Sequence, residues 1–228
     1  MPITTCVFDA YGTLFDVSAA ARLASEEPGR DKLAACWQKL ASDWRNKQLQ
    51  YTWLRAVTGD HADFWDVTQN GLDWAMEANG LADLELRERL LALYWELRAY
   101  KEVPLMLAQL KKAGMNTAIL SNGSPDMLDG AVSSAGIATT LDDVLSVEDV
   151  GVFKPHASVY DLVGKRFNCQ KDEVLFVSSN GWDAGCATGY GFTTAWVNRA
   201  GEPVDRLPWT PAHILTDLTT IPELAGAL

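Results

Sequence analysis

A repeated unit constrains this chain more than anything else in it: a short apolar run that ends in a polar turn, alternating with segments of helical character. The runs are Thr4–Phe8, Thr117–Leu120 and Val174–Val177, with two shorter candidates near Thr194–Val197 and His213–Leu215. Their length and content suit buried strands. Between them, Pro104 to Ala113 reads as a helix closed by Gly114, with Lys111 and Lys112 in its last turn. Ser124-Pro125-Asp126 supplies an N-cap, a first-turn proline and a first-turn acid, and Gly136 stops the helix that follows. Further helices are expected after Lys154-Pro155 and from about Asp183. Such alternation implies an α/β fold, a doubly wound parallel sheet covered on both faces.

The alternation is interrupted once. After Leu14 the pattern is helical for about eighty residues. Leu33, Trp37, Leu40 and Trp44 are spaced as one apolar helix face requires, and Leu86, Leu90, Leu93 and Leu97 repeat that spacing. Six of the nine tryptophans fall in this stretch, most of them expected in its core, where aromatic residues can also wall an apolar pocket. Residues 17–98 are therefore read as a helical cap inserted into a core made of 1–16 and 99–228. The length of 228 residues, 48% of them hydrophobic, is enough for a full core and a smaller second unit.

A net charge of −11 argues against nucleic acid or an anionic membrane surface as a partner, but not against a small anion in a local basic pocket. Cys6, Cys36, Cys169 and Cys186 show no C-x-x-C spacing, and neither a signal peptide nor a bilayer-spanning apolar run is present. Reduced cysteines and a cytoplasmic location are expected. His61, His156 and His213 form no metal-ligand spacing, so no metal and no other cofactor is expected.

Four polar clusters stand just after strands or at helix starts: Asp9, Ser121-Asn122, Lys154, and Ser178 to Asp183. In a doubly wound sheet the carboxyl ends of neighbouring strands share one edge, so these clusters can converge on one site. Taken alone, Asp9 reads equally well as a helix N-cap.

Together the clusters carry a resemblance. Asp9-Ala10-Tyr11-Gly12-Thr13, Ser121-Asn122-Gly123, Lys154-Pro155 and Ser178-Ser179-Asn180-Gly181-Trp182-Asp183 resemble the four motifs of the haloacid dehalogenase superfamily. The cap segment from Trp44 to Arg55 looks like that of its L-2-haloacid dehalogenases, and the likeness runs over nearly the whole chain. The resemblance implies a Rossmann-like core, a helical cap, a homodimer and a small 2-haloacid substrate. Asp9 is implied as nucleophile, Lys154 as its cationic neighbour, Arg45 as halide acceptor, and Asp183 as the group that orients or deprotonates water, with Ser178 and Asn180 positioning that water. Ser121 and Asn122 are implied at the substrate carboxylate and halide. Thr13 and Tyr160 are expected to orient Asp9 and Lys154, and Tyr11, Leu49, Phe64 and Trp182 to wall the pocket.

Two departures from phosphatase-type relatives bear on the reaction. Tyr11 stands where they carry a second Asp as general acid, and a phenol of pKa roughly 10 protonates an alkoxide poorly at neutral pH. Ser179 stands where they carry an acidic magnesium ligand, which leaves few oxygens for a hard cation. A leaving halide needs no proton. The reading is hydrolytic dehalogenation of (S)-2-haloalkanoates to (R)-2-hydroxyalkanoates through an aspartyl ester, without a metal. A metal-dependent phosphatase or phosphonate hydrolase on the same fold, and a catalytically silent binding protein, stay open at this point.

Overall fold

The computed structural model describes residues 2–227. Thr5–Phe8 forms β1, and all four of its residues are buried, as a strand covered on both faces requires. Five helices of the inserted segment follow it: α1 (Ala19–Ser25), α2 (Asp31–Ala34), α3 (Trp37–Thr58), α4 (Phe64–Ala78) and α5 (Leu84–Trp95). The alternation then resumes with α6 (Val103–Lys112), β2 (Asn116–Ser121), α7 (Pro125–Ala135), β3 (Asp143–Ser146) and α8 (Ala157–Phe167). It ends with β4 (Val174–Ser178), α9 (Gly181–Tyr190), β5 (Thr193–Val197), β6 (His213–Leu215) and α10 (Ile221–Leu224).

The strands form one parallel sheet in the order β3-β2-β1-β4-β5-β6. Crossovers run outward from β1 in both directions, so right-handed connections put helices on both faces, and the order reverses at β1. This is a Rossmann-like α/β sheet. Phe8 is in register with Ile119 on one side and Val177 on the other. The turns after β1, β2 and β4 therefore open on one edge, at the reversal point where such sheets bind ligands.

The helical segment leaves and returns across a single antiparallel bridge. Asp16 N–H donates to the Arg98 carbonyl (3.1 Å), Tyr100 N–H donates to the Leu14 carbonyl (2.9 Å), and Phe15 faces Ala99. Aromatic contacts join the helices to the sheet edge, with Trp53 edge-on to Trp182 and Phe64 edge-on to Phe153.

Several local expectations are corrected. β3 has no strong sequence signal: it is four residues long, begins with Asp143, and pairs with β2 alone, so it lacks the apolar run of a strand buried between two neighbours. The spacing of Leu33, Trp37, Leu40 and Trp44 does not mark one helix, because α2 and α3 are separate and Cys36 between them leaves helical geometry at φ −142°, ψ 11°. Its period reports burial across a break. Of the six tryptophans in this region only Trp44 is buried, while Trp53 and Trp74 are exposed. The Ser124 side chain makes no capping bond, although α7 starts at Pro125 as expected. α9 starts two residues earlier than expected, at Gly181, which puts Asp183 inside its first turn.

Candidate active site

Asp9 follows directly on β1, and its N–H continues the ladder to the Val177 carbonyl (2.9 Å). The chain then turns sharply, with the N–H groups of Thr13, Leu14 and Phe15 all directed at the Ala10 carbonyl. Gly12 makes that turn at φ +90°, where a Cβ would also lie 2.9 Å from Ser179 Oγ. Gly123 is needed for another reason. A Cβ there would come within 2.8 Å of the Tyr11 ring.

The turn presents Asp9 to a charged cluster. Lys154 Nζ lies 2.9 Å from Asp9 Oδ1 and 2.7 Å from Asp183 Oδ2. Asp9 Oδ2 accepts from Thr13 Oγ1 (2.9 Å) and Asn180 Nδ2 (3.1 Å). Asp183 also accepts from Tyr160 OH on Oδ1 (2.7 Å) and Ser178 Oγ on Oδ2 (3.1 Å). Exposure is 5% for Asp9, 1% for Lys154 and 0% for Asp183. Such burial is tolerated because every charge has an opposite partner and further hydrogen bonds.

Burial alone would lower the Lys154 pKa, but Asp183 and Asp9 outweigh it and hold it above the usual lysine range. Burial pushes the Asp183 carboxyl up, with Lys154 opposing and Asp9 adding to the rise. Burial also keeps Tyr160 and Tyr11 well above the ordinary phenol range, helped by Asp183 and by Tyr94 respectively. Both remain neutral hydroxyls.

The pocket beside this cluster is lined from the sheet edge by Asp9, Tyr11, Ser121, Asn122, Lys154, Asn180 and Trp182, and from α3 and α4 by Arg45, Leu49 and Phe64. Its cavity volume is about 10 Å³, room for about one water. A larger cleft of about 590 Å³ beside Arg30 and Leu81 lies away from the carboxylates. Arg45 Nη2 donates to the Tyr11 carbonyl and to Asn180 Oδ1, both at 3.2 Å. Asn122 Oδ1 accepts the Lys154 N–H (2.9 Å), and Ser121 Oγ accepts the Gly123 N–H (3.0 Å). Trp182 Nε1 is buried without a partner among the described residues.

All the residues singled out from the sequence thus gather at one edge, in two layers. The pocket wall holds Asp9, Lys154, Asn180, Arg45 and the other lining residues named above, whereas Thr13, Ser178, Tyr160 and Asp183 stand behind it. Two pairings differ from expectation. Tyr160 bonds Asp183 rather than Lys154, and Asn180 bonds Asp9 and Arg45 directly. Asp183 is no helix cap, since its carboxylate turns toward Lys154 and away from the α9 N–H groups. The sequence reading missed Tyr94, which stacks on Tyr11 at 5.7 Å and is held through Gln48 to Thr68. Its only signal was a tyrosine among the leucines of α5.

A divalent cation does not fit this donor set. No group of three or more His, Cys, Asp or Glu side chains gathers among the described residues. Lys154 Nζ occupies the space between the two carboxylates, where a hard cation would have to sit.

The family model for haloacid dehalogenase-like hydrolases matches residues 3–189. The chain is 42% identical over 224 residues to (S)-2-haloacid dehalogenase 1 of Pseudomonas sp. strain CBS-3, covering 98% of this chain and 96% of that one. A dehalogenase crystal structure superposes with a TM-score of 0.92 at 38% identity, covering 97% of this chain and 96% of the other. The L-2-haloacid dehalogenase of Xanthobacter autotrophicus with chloropropionic acid covalently bound superposes with a TM-score of 0.85 at 36% identity, covering 98% of each. With likeness of this extent, the chain belongs to the haloacid dehalogenase-like hydrolases and, among them, to the L-2-haloacid dehalogenase family.

Proposed function

We propose that this protein hydrolyses short (S)-2-haloalkanoates to (R)-2-hydroxyalkanoates through an ester on Asp9. The observation that carries the mechanism is the unequal use of the two Asp9 oxygens. Oδ2 accepts two hydrogen bonds, from Thr13 and Asn180, while Oδ1 accepts only from Lys154. A carboxylate oxygen has two acceptor directions, so Oδ1 keeps one lone pair for attack.

In the first step Asp9 Oδ1 attacks C2 from the side opposite the halogen, and the carbon–halogen bond breaks with its electron pair leaving as halide. Arg45 receives that halide with a fixed charge. Ser121 and Asn122 hold the substrate carboxylate, and Tyr11, Leu49, Phe64 and Trp182 enclose the alkyl group. In the second step water attacks the ester carbonyl of Asp9 and gives one proton to Asp183. The bond between that carbonyl carbon and the ester oxygen then breaks, the departing alkoxide takes the proton back from Asp183, and the second water proton is lost to solvent as the Asp9 carboxylate is restored. The hydroxy acid leaves with the inverted configuration set in the first step. Asp183 Oδ2 is filled by Lys154 and Ser178, while Oδ1 holds only Tyr160 and retains one acceptor direction for that water. Burial that raises the Asp183 pKa makes it a better base.

In this division of labour 1–16 and 99–228 form the catalytic unit and 17–98 the cap. The pocket in this state has room for about one water, less than a haloacid needs. A homodimer and a cytoplasmic location are also proposed, from the family resemblance and from four free cysteines. No helix among the described residues is long and apolar enough to cross a membrane.

Single-turnover hydrolysis of (S)-2-chloropropionate in oxygen-18 water, with chelator present, tests the mechanism. The first product takes its new oxygen from Asp9 and is unlabelled. Solvent label in that first product would sink the covalent route, and a requirement for magnesium would sink the metal-free one.

A further inference from the structure

We infer that Arg199 is a positioning residue for this reaction: it braces the turn that carries Thr13, and through Thr13 the nucleophile Asp9, against the point where the chain returns from the cap. The inference rests on the proposed role of Asp9. Arg199 follows β5, beyond the residues that the family model spans, and belongs to none of the four motifs.

Its guanidinium engages three groups at once. Nη2 donates to the Thr13 carbonyl (3.2 Å), Nη1 pairs with Glu102 Oε1 (2.8 Å), and Cζ lies 3.7 Å from the centre of the Tyr100 ring. Glu102 is 9% exposed at its side chain and Arg199 23%, so the pair is better shielded than an ordinary surface ion pair.

Each contact falls at a mechanically relevant point. The Thr13 hydroxyl meets Asp9 Oδ2 at 2.9 Å and accepts the Ser179 N–H at 2.8 Å. The backbone position of Thr13 therefore helps, with Asn180 and Lys154, to fix the rotamer of Asp9. Tyr100 and Glu102 closely follow the bridge residue Ala99, and Tyr100 N–H bonds the Leu14 carbonyl one residue past Thr13. One planar group thus joins the nucleophile turn to the cap hinge. Lysine can supply the charge but not the fork or the stacked face.

Arg199 lines no part of the pocket, so its loss acts on the chemical step and not on substrate affinity. In-line displacement depends on the angle at which Oδ1 meets C2, and small misplacements of a reacting group are costly.

The test compares wild type, Arg199→Gln, Arg199→Lys and Arg22→Gln in steady-state and single-turnover halide release from (S)-2-chloropropionate, with thermal melts alongside. Arg22 pairs with Asp16 in the same hinge (2.9 Å) without touching Thr13, and so controls for loosening of the hinge. For Arg199→Gln, kcat and the single-turnover rate fall roughly 10- to 100-fold, whereas KM stays within about two-fold. Arg199→Lys retains the charge, folds, and lies between Gln and wild type, and Arg22→Gln leaves kcat within about two-fold. Low-millimolar guanidinium restores part of the rate to Arg199→Gln and none to Arg22→Gln. An unchanged kcat in Arg199→Gln, or equal losses in the Arg199 and Arg22 variants, overturns the inference while the dehalogenase reading survives. Wild-type protein that releases no halide defeats that reading and this inference with it.

Discussion

The two walls of the pocket are built differently. On the sheet edge, Asp9, Lys154 and Asp183 are buried and held by hydrogen bonds of 2.7 to 3.1 Å, each from a strand end, a first helical turn or a loop locked to one. On the helical side, Arg45 and Leu49 are half-buried. Arg45 reaches across through two longer contacts of 3.2 Å, and Phe64 and Trp53 meet the core through ring contacts, Phe64 on Tyr11 and Phe153 and Trp53 on Trp182. The groups proposed to keep an angle of attack are fixed by the register of the sheet, and those proposed to enclose the substrate ride on the inserted helices. The difference separates what the fold depends on from what it does not: changes in the first wall strike kcat or folding, and changes in the second strike rate or selectivity and leave the fold intact.

The comparison is broken most directly at Asp9. Asp9→Asn lowers halide release by roughly 10⁴-fold or more, with the far-ultraviolet circular dichroism spectrum unchanged. Turnover in that variant, with deamidation excluded by mass spectrometry, would remove Asp9 from its role. Lys154→Met leaves two buried carboxylates without their cation and costs about 3–5 kcal/mol in urea unfolding. Because folding raises the Lys154 pKa, its contribution is complete below the unfolded value of 10.5 and is lost as pH rises above it. Wild type therefore weakens steeply above that pH, and the methionine variant does not.

On the cap wall, Arg45→Lys keeps the charge but loses the fork, and kcat falls about 10- to 100-fold with Tm nearly unchanged. A comparable loss of Tm would mean that Arg45 belongs structurally to the first wall. The pH profile sharpens the assignment of Asp183. Its carboxyl is raised above 3.8, so the acid limb of kcat lies above the ordinary carboxylate range, with the rate falling about tenfold per unit below it. On that limb the Asp9 ester accumulates, because water is no longer deprotonated while alkylation continues, and quenched-flow mass spectrometry detects it. The smallest effect belongs to Leu49→Ala, which shifts preference toward longer chains by about tenfold or less in competition between 2-chlorobutyrate and 2-chloropropionate.

Much of the sheet edge was legible because Asp9, Ser121 and Ser178 each close an apolar run, and a strand's end marks its place on that edge whatever its neighbours are. Gly12 and Gly123 were readable as turns, but not as close approaches to Ser179 and to the Tyr11 ring. β3 escaped because a four-residue edge strand beginning with Asp143 has little apolar content to show. Trp53 and Trp74 were misplaced into the core because composition does not say which face of a helix meets solvent.

The sequence by itself determined the alternation of strands and helices, the inserted helical segment, and the residue types available for nucleophilic attack. Those follow from forces that act within a turn or a strand. Only the tertiary structure decided the pairings: Tyr160 on Asp183, Asn180 on Asp9, Arg199 on Thr13. Asp9 and Lys154 are 145 positions apart and meet only once strand order and register are set. Which oxygen of Asp9 keeps a lone pair depends on Thr13 of its own turn and on Lys154 and Asn180 arriving from distant segments, and no local pattern encodes that.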